Sequence, residues 1–294
     1  ETKVPDNYQL GKTKEWSVKI DDDAPLITID VTNDRQYGSV RVTKIAEDGL
    51  EEGLVFSLTG ISVYGDAVDM KSAVDSNGIA LFEHVPIGNG YVLSEENTPE
   101  RYVIPAEKTV NVEWNKITES FFENILKKWR AELYKLDADT LGDPQGDATL
   151  AGAVYGVYKD GQLLDTYTIG SDGKLVTDYY VCGDGWTIRE VTPSEGYLLD
   201  TTIHKVPSEP GRYVYELNTI EMTGYETVKT GNIAIIKHTN DGSTQIETPE
   251  VGAEFEVFLK KSGSYTNEKE SERDILICDE HGFAQSKNMP YGVY

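Results

Sequence analysis

A seven-residue string ending in lysine recurs three times along the chain: Gly38-Ser-Val-Arg-Val-Thr-Lys44, Trp129-Arg-Ala-Glu-Leu-Tyr-Lys135 and Gly231-Asn-Ile-Ala-Ile-Ile-Lys237. Each copy alternates apolar and polar residues as a half-buried strand does. Each also sets an aliphatic residue two positions before the lysine, hence on the lysine's own face. The three lysines therefore face a core, where an ammonium has to be paired, neutralised or chemically consumed. The recurrence makes the chain an array with spacings of 91 residues (44 to 135) and 102 residues (135 to 237). It assigns residues 1–37 to the second half of one unit, 38–127 and 128–229 to two complete units, and 230–294 to the first part of another.

After each lysine comes a glycine-led strand: Gly53-Leu-Val-Phe56-Ser-Leu58, Gly152-Ala-Val-Tyr155-Gly-Val157 and Gly252-Ala-Glu-Phe255-Glu-Val257. Turns follow at Asp75-Ser-Asn-Gly78, Ser171-Asp-Gly173 and Asp279-Glu-His-Gly282, and their Asp, Asn and Gly residues read as hairpin signals. An acidic box comes next, Tyr91-Val-Leu-Ser-Glu95 or Trp186-Thr-Ile-Arg-Glu190, whose alternation turns the glutamate inward. Seven residues past each glutamate stands Tyr102 or Tyr197, with Pro99 or Pro193 ending the strand between. The same string opens the chain from Glu1 to Tyr8, so Glu1 lies inside a unit. Closing strands end at Val31-Thr-Asn33 and Phe122-Glu-Asn124, each asparagine five residues ahead of the next unit's first strand. Gly, Tyr, Val and Thr dominate and no useful 3.6-residue apolar period occurs. The expected fold is all-β, a linear array of immunoglobulin-like β-sandwiches.

An inward Lys on the first strand, an inward Glu on a middle strand and an Asn on the last make an amide-forming set. Burial disfavours charge on both ionisable groups, so a neutral amine and a neutral acid can coexist. The amine then attacks the asparagine Cγ while the acid polarises the carbonyl and passes protons to departing ammonia.

The G-x-V-x-V-x-K strand, the Y-x-L-x-E box with its trailing proline and the F-x-N closing strand, taken together, resemble tandem CnaB-type domains. These are also called SpaA-like pilin domains and occur in Gram-positive surface proteins. The resemblance covers nearly the whole chain. It implies a transthyretin-like (prealbumin-like) inverse immunoglobulin sandwich, a spontaneous Lys–Asn isopeptide bond assisted by Glu, and stalk or pilus duty at the cell surface. Carried over by position, Lys44, Glu95 and Asn124 form a full set. The leading half keeps Glu1 and Asn33, and the trailing half keeps Lys237, with Tyr294 corresponding to Tyr91. In the middle unit Glu190 takes the acid's place beside Lys135, but five residues before Gly231 stands Glu226 instead of asparagine. Either Asn218 is the acceptor there, or Lys135, Glu190 and Glu226 remain an ionic, proton-sharing cluster.

Lys and Arg number 27 against 51 Asp and Glu, a net charge of −24, which argues against nucleic acid and anionic membrane surfaces as partners. His84, His204, His238 and His281 lack metal spacing, and Cys182 and Cys278 sit at different places in their units, as buried free thiols do. The stretch Asp137-Ala-Asp139 with Asp143 and Asp147 is missing an oxygen ligand at Leu141 and reads as a solvated hairpin; Asp21-Asp-Asp23 reads as a solvated loop. Gly88-Asn-Gly90 and Gly183-Asp-Gly185 are turns, not phosphate loops. No cofactor, metal or hydrolase triad is expected.

The leading expectation is a stiff structural segment of a secreted, wall-anchored adhesin or pilin, whose partners are the neighbouring domains of its own polypeptide. Any host protein or glycan would be bound through domains outside this segment. Two rivals are a ligand-binding sandwich and an accessory region of an extracellular hydrolase. A further expectation is that Lys237 of one molecule meets Glu1 and Asn33 of another, giving head-to-tail oligomers.

Overall fold

The computed structural model describes residues 1–13, 15–20, 26–239 and 248–294; the run Asp21-Asp-Asp23 lies outside them. The regular elements among the described residues are strands and short 3-10 turns. The leading segment contributes β1 (Tyr8–Gln9) and β2 (Asp34–Arg35), which pair with each other. The first complete sandwich is built from β3 (Tyr37–Ala46), β4 (Val55–Ile61), β5 (Ala67–Ala73), β6 (Ile79–Pro86), β7 (Gly88–Glu96), β8 (Lys108–Val112) and β9 (Ile117–Asn124). The second uses β10 (Lys128–Asp137), β11 (Val154–Lys159), β12 (Gln162–Thr168), β13 (Lys174–Val176), β14 (Tyr180–Val181), β15 (Trp186–Thr192), β16 (His204–Lys205) and β17 (Leu217–Glu226). The trailing segment holds β18 (Thr230–Gly231), β19 (Ala234–Ile236), β20 (His238–Thr239), β21 (Thr248–Pro249), β22 (Glu254–Phe258), β23 (Arg273–Ile277), β24 (Phe283–Gln285) and β25 (Met289–Pro290).

The two complete sandwiches share one topology. One sheet runs β6-β3-β9 and the other β5-β4-β7-β8. In the second sandwich the same places are taken by β13 and β14, β10 and β17, and by β12-β11-β15-β16. The first and last strands of each unit lie side by side in parallel. β3 runs beside β9 from Ser39 opposite Ile117 to Ala46 opposite Asn124, and β10 beside β17 from Lys128 opposite Leu217 to Asp137 opposite Glu226. Along β3 the expected alternation is realised: Val40, Val42, Lys44 and Ala46 are buried while Arg41 and Ile45 are exposed. The core between the sheets is filled by Phe56, Leu58, Phe82, Tyr91, Leu93 and Phe122 among others.

The glycine turns differ from the hairpin reading. β5 pairs with β4, but β6 pairs with β3, so Asp75–Gly78 carries the chain from one sheet to the other. The same holds for the turns between β12 and β13 and between β23 and β24. Alternation identifies a strand but not the sheet it joins, which is why the sequence pattern missed this. Each turn glycine's carbonyl accepts the backbone N–H of its unit's lysine, from Lys44, Lys135 and Lys237 at 2.7, 2.8 and 2.7 Å. Gly78 sits at φ +75°, and a Cβ there would stand 2.7 Å from the Lys44 carbonyl oxygen. Asp75 Oδ1 accepts the N–H groups of Asn77 and Ile79, fixing the turn's shape.

The chain divides into two compact units, Glu1–Lys127 with Pro210–Glu216, and Lys128–Glu209 with Leu217–Tyr294. In the first, Tyr64 of the β4–β5 connection accepts the Gln36 N–H at 2.7 Å and donates to the Asn7 carbonyl, tying the leading segment to the sandwich. In the second, the stretch read as a solvated hairpin is exposed at residues 138–141 and at Asp143, but it is anchored at both ends. Asp137 is fully buried and accepts hydrogen bonds from Tyr197 Oη, Gln145 Nε2 and the Asp139 and Thr140 N–H groups. Gly146 and Asp147 then pack on the trailing segment: Gly146 N–H donates to Glu272 Oε1 at 2.8 Å, and Asp147 Oδ2 accepts from Val293 N–H at 2.9 Å.

Candidate functional site

Parallel register puts Lys44 opposite Phe122 and Ala46 opposite Asn124, so lysine and asparagine are diagonal neighbours on the inward face. Glu95 arrives from the other sheet, on β7, where it lies opposite Phe56 of β4. Lys44 Nζ stands 2.9 Å from Glu95 Oε2 in an ion pair whose two side chains are wholly buried. Asn124 Nδ2 donates to Glu95 Oε1 at 2.8 Å, and its Oδ1 has no partner. Turning that amide over would offer the carbonyl oxygen to a protonated Glu95. Burial pulls the Lys44 amine below the ordinary lysine value, against the opposing pull of Glu95. The rings of Phe56 and Phe122, centroids 4.9 Å apart and edge-on, form an apolar wall behind the set.

The middle unit brings Lys135, Glu190 and Glu226 together in the same frame. Lys135 lies opposite Gly224 and Asp137 opposite Glu226, so Glu226 holds the place of Asn124. Lys135 Nζ donates to Glu190 Oε1 at 2.7 Å and stands 3.2 Å from Glu226 Oε1, all three side chains being fully buried. Two contacts have no counterpart in the first unit. Tyr155 Oη donates to Glu226 Oε1 at 2.9 Å, and the Asp200 N–H donates to Glu190 Oε2 at 2.8 Å. Burial, with the nearby charge of Glu190, pushes the Glu226 carboxyl above the usual range, while Lys135 and the Tyr155 hydroxyl oppose the shift. The same burial and the Glu226 charge raise the Tyr155 hydroxyl far above its ordinary value.

Asn218, the alternative acceptor, is not at this site. It lies opposite Trp129, six positions along β17 from the residue opposite Lys135, and its Nδ2 donates to the Lys128 carbonyl at 2.9 Å. The correction has a simple physical cause: strand position fixes which residue reaches the lysine, and the chemical suitability of an amide cannot override a separation of roughly 20 Å at 3.3 Å per residue.

In the leading half Asn33 Nδ2 donates to Glu1 Oε1 at 3.1 Å, the same contact that Asn124 makes with Glu95. In the trailing half Lys237 is two-fifths exposed and pairs with Glu250 Oε2 at 2.7 Å. Cys182 and Cys278 are buried and not in a disulfide. Tyr155 and the Asp200 N–H are the site groups that sequence reading missed. Tyr155 was in view within its glycine-led strand, but nothing in the string revealed its acidic partner.

The family described as SpaA, a prealbumin-like fold domain, matches residues 38–124 and 140–219, together more than half of the chain. The chain belongs to this family. The first matched stretch spans β3 from Gly38 to the end of β9, whereas the second begins after β10 and ends within β17. A solved structure titled the Bacillus anthracis TIE protein superposes with TM-score 0.64 at 20% identity, over 88% of this chain and 44% of that one. This SpaA-family chain thus spans less than half of that structure, and at such identity the likeness shows fold alone. The C-terminal fragment of the pilus adhesin SpaC from Lactobacillus rhamnosus GG aligns with 66% of this chain and 98% of its own, at 14% identity and TM-score 0.42. The minor pilin GBS52 of Streptococcus agalactiae aligns with 65% and 96%, at 13% identity and TM-score 0.29. The last two superpositions are too loose to carry an argument. Comparison with curated protein sequences returns no match.

Proposed function

We propose that this segment is a load-bearing spacer of an extracellular, wall-attached adhesin or pilin, in which the first complete domain is locked by a Lys44–Asn124 isopeptide bond. The observation that carries the reading is the enclosure of Lys44, Glu95 and Asn124, whose buried side chains meet with the amine 2.9 Å from the Glu95 carboxylate and the amide carbonyl unpartnered. The lysine's lowered basicity favours a neutral nucleophile. Its Nζ forms a bond to the Asn124 Cγ, the Cγ–Nδ2 bond breaks, and ammonia leaves. Glu95 passes the lysine's proton to the departing nitrogen. The product is a neutral amide where an ammonium stood, which removes the cost of burying that charge.

The net charge of −24 and the SpaA family membership both suit a surface role. The segment boundaries 1–37, 38–127, 128–229 and 230–294 belong to the same proposal, as do the neighbouring domains as the principal partners. Intact-mass measurement of the purified chain tests the bond. A mass one ammonia below the sequence value is expected, and Glu95→Ala should restore it. A wild-type mass equal to the sequence value would remove the bond from the proposal.

A further inference from the structure

The two lysine clusters differ at four structurally matched positions, not only at the acceptor. Phe56, opposite Glu95, becomes Tyr155, opposite Glu190. Phe122, opposite Lys44, becomes Gly224, opposite Lys135. Asn124 becomes Glu226. The fourth pair lies just beyond the tyrosines: Tyr102 bridges to Leu126 and Tyr197 to Val228, and Val103 and Leu198 donate equivalently to Ile125 and Thr227. Two residues further on, Pro105 stands where the middle unit has Asp200.

Each exchange acts in the same direction. Proline has no N–H, so Glu95 receives no backbone hydrogen bond from position 105. Its Oε2 faces only Lys44. Asp200 does supply that N–H, so both oxygens of Glu190 are occupied as acceptors, one by Lys135 and one by the backbone. A carboxyl held in this way cannot turn a proton toward an acceptor carbonyl without breaking a buried hydrogen bond. Gly224 and Tyr155 are coupled, since a Cβ at 224 would lie 2.8 Å from the Tyr155 hydroxyl oxygen. Removing the phenyl ring opens the room in which that hydroxyl reaches Glu226. The apolar wall beside Lys44 is thereby replaced by a hydroxyl that reaches Glu226 Oε1, while Lys135 donates to Glu190 and Glu226 Oε2 keeps no partner.

We propose that Phe56, Phe122 and Pro105 are positioning residues that keep Lys44 and Glu95 competent to react, and that Tyr155, Gly224 and the Asp200 N–H hold the middle cluster as a permanent ion pair. This rests on the cross-linking reading of the first domain. It makes the segment a pair of unlike modules, one closed covalently and one held by charge.

Two sets of variants, all read by intact mass, test it. Glu226→Asn alone supplies the missing acceptor and should give no second loss of ammonia. Glu226→Asn combined with Tyr155→Phe, Gly224→Phe and Asp200→Pro should give one. Pro105→Ala, which offers Glu95 a backbone N–H, should slow ammonia loss from the first domain on the order of tenfold. It is followed in protein that already shows native far-ultraviolet ellipticity, so that folding and bonding are separated. Complete cross-linking by Glu226→Asn alone, or ammonia loss from Pro105→Ala as fast as from the wild type, would overturn the inference and leave the cross-linking reading intact. Absence of any ammonia loss from the wild-type chain would overturn both.

Discussion

Glu226 is a fully buried carboxyl beside one cation and one other carboxyl, and its behaviour with pH follows from its burial. Its folded-state pKa lies above the ordinary value, so the folded middle domain binds its proton more tightly than the unfolded chain does. That contribution to stability is fully present below the ordinary carboxyl value and is lost as pH rises through the raised one. Each pH unit crossed in that window costs about 1.4 kcal/mol. Urea unfolding of the middle domain should therefore show greater stability at pH 5 than at pH 7.5, and Glu226→Gln should flatten the dependence. At the other cluster, Lys44→Met forgoes the proposed cross-link and should lower stability by roughly 4–5 kcal/mol, as measured by denaturant midpoint, because a loop closed from 44 to 124 would no longer restrict the unfolded chain. The lysines and glutamates were legible in the string because their inward orientation follows from a two-residue period. Glu226 was legible as the residue five positions before the next strand. Tyr155 Oη and the Asp200 N–H were not, since a hydroxyl on a core ring and a backbone group in a loop carry no pattern.

The parallel pairs β3·β9 and β10·β17 decide how an applied force is met. Tension enters at the start of the first strand and leaves at the end of the last, so the rungs of a parallel pair are sheared together instead of peeled one by one. Under the proposed Lys44–Asn124 bond, the load would cross at the exit end and bypass residues 45–123. Single-molecule pulling of Glu95→Ala should accordingly show one extension more than the wild type, of roughly 280 Å for the 80 residue steps from 44 to 124 at about 3.5 Å each. The sheet-crossing turns are the second element on which each unit depends. Gly78→Val should destabilise the first domain by about 1–3 kcal/mol, read as a lowered thermal midpoint, because φ +75° and the nearby Lys44 carbonyl both exclude a branched side chain. Those turns were visible as turns, but their role as corners depends on pairing between distant strands, which local composition does not encode.

At the scale of the molecule, the middle and trailing parts of the second compact unit are joined by a polar and close-fitting contact. Glu272, almost wholly buried, accepts the Gly146 N–H, and Tyr291 Oη donates to Glu195 Oε1 at 2.8 Å. A Cβ at Gly196 would lie 2.5 Å from Ala148 Cβ and 2.7 Å from Tyr291 Cδ1, so the surfaces meet at glycine. Glu272→Ala leaves the Gly146 N–H without its partner and should cost about 1–3 kcal/mol, seen as faster amide hydrogen exchange across residues 145–148. The acidic composition of this stretch suggested exposure. The structure uses Asp137 and Asp147 as acceptors for donors that come from far along the chain, and a single string gives no means of pairing them.

Because the first and last strands of each complete domain run the same way, the backbone comes in at one pole and departs from the opposite pole. A duplicated copy can then be spliced onto the end with a connector of a few residues and no rerouting of existing strands. Lengthening such a protein is a matter of copying, and each copy is afterwards at liberty to change its own fastening.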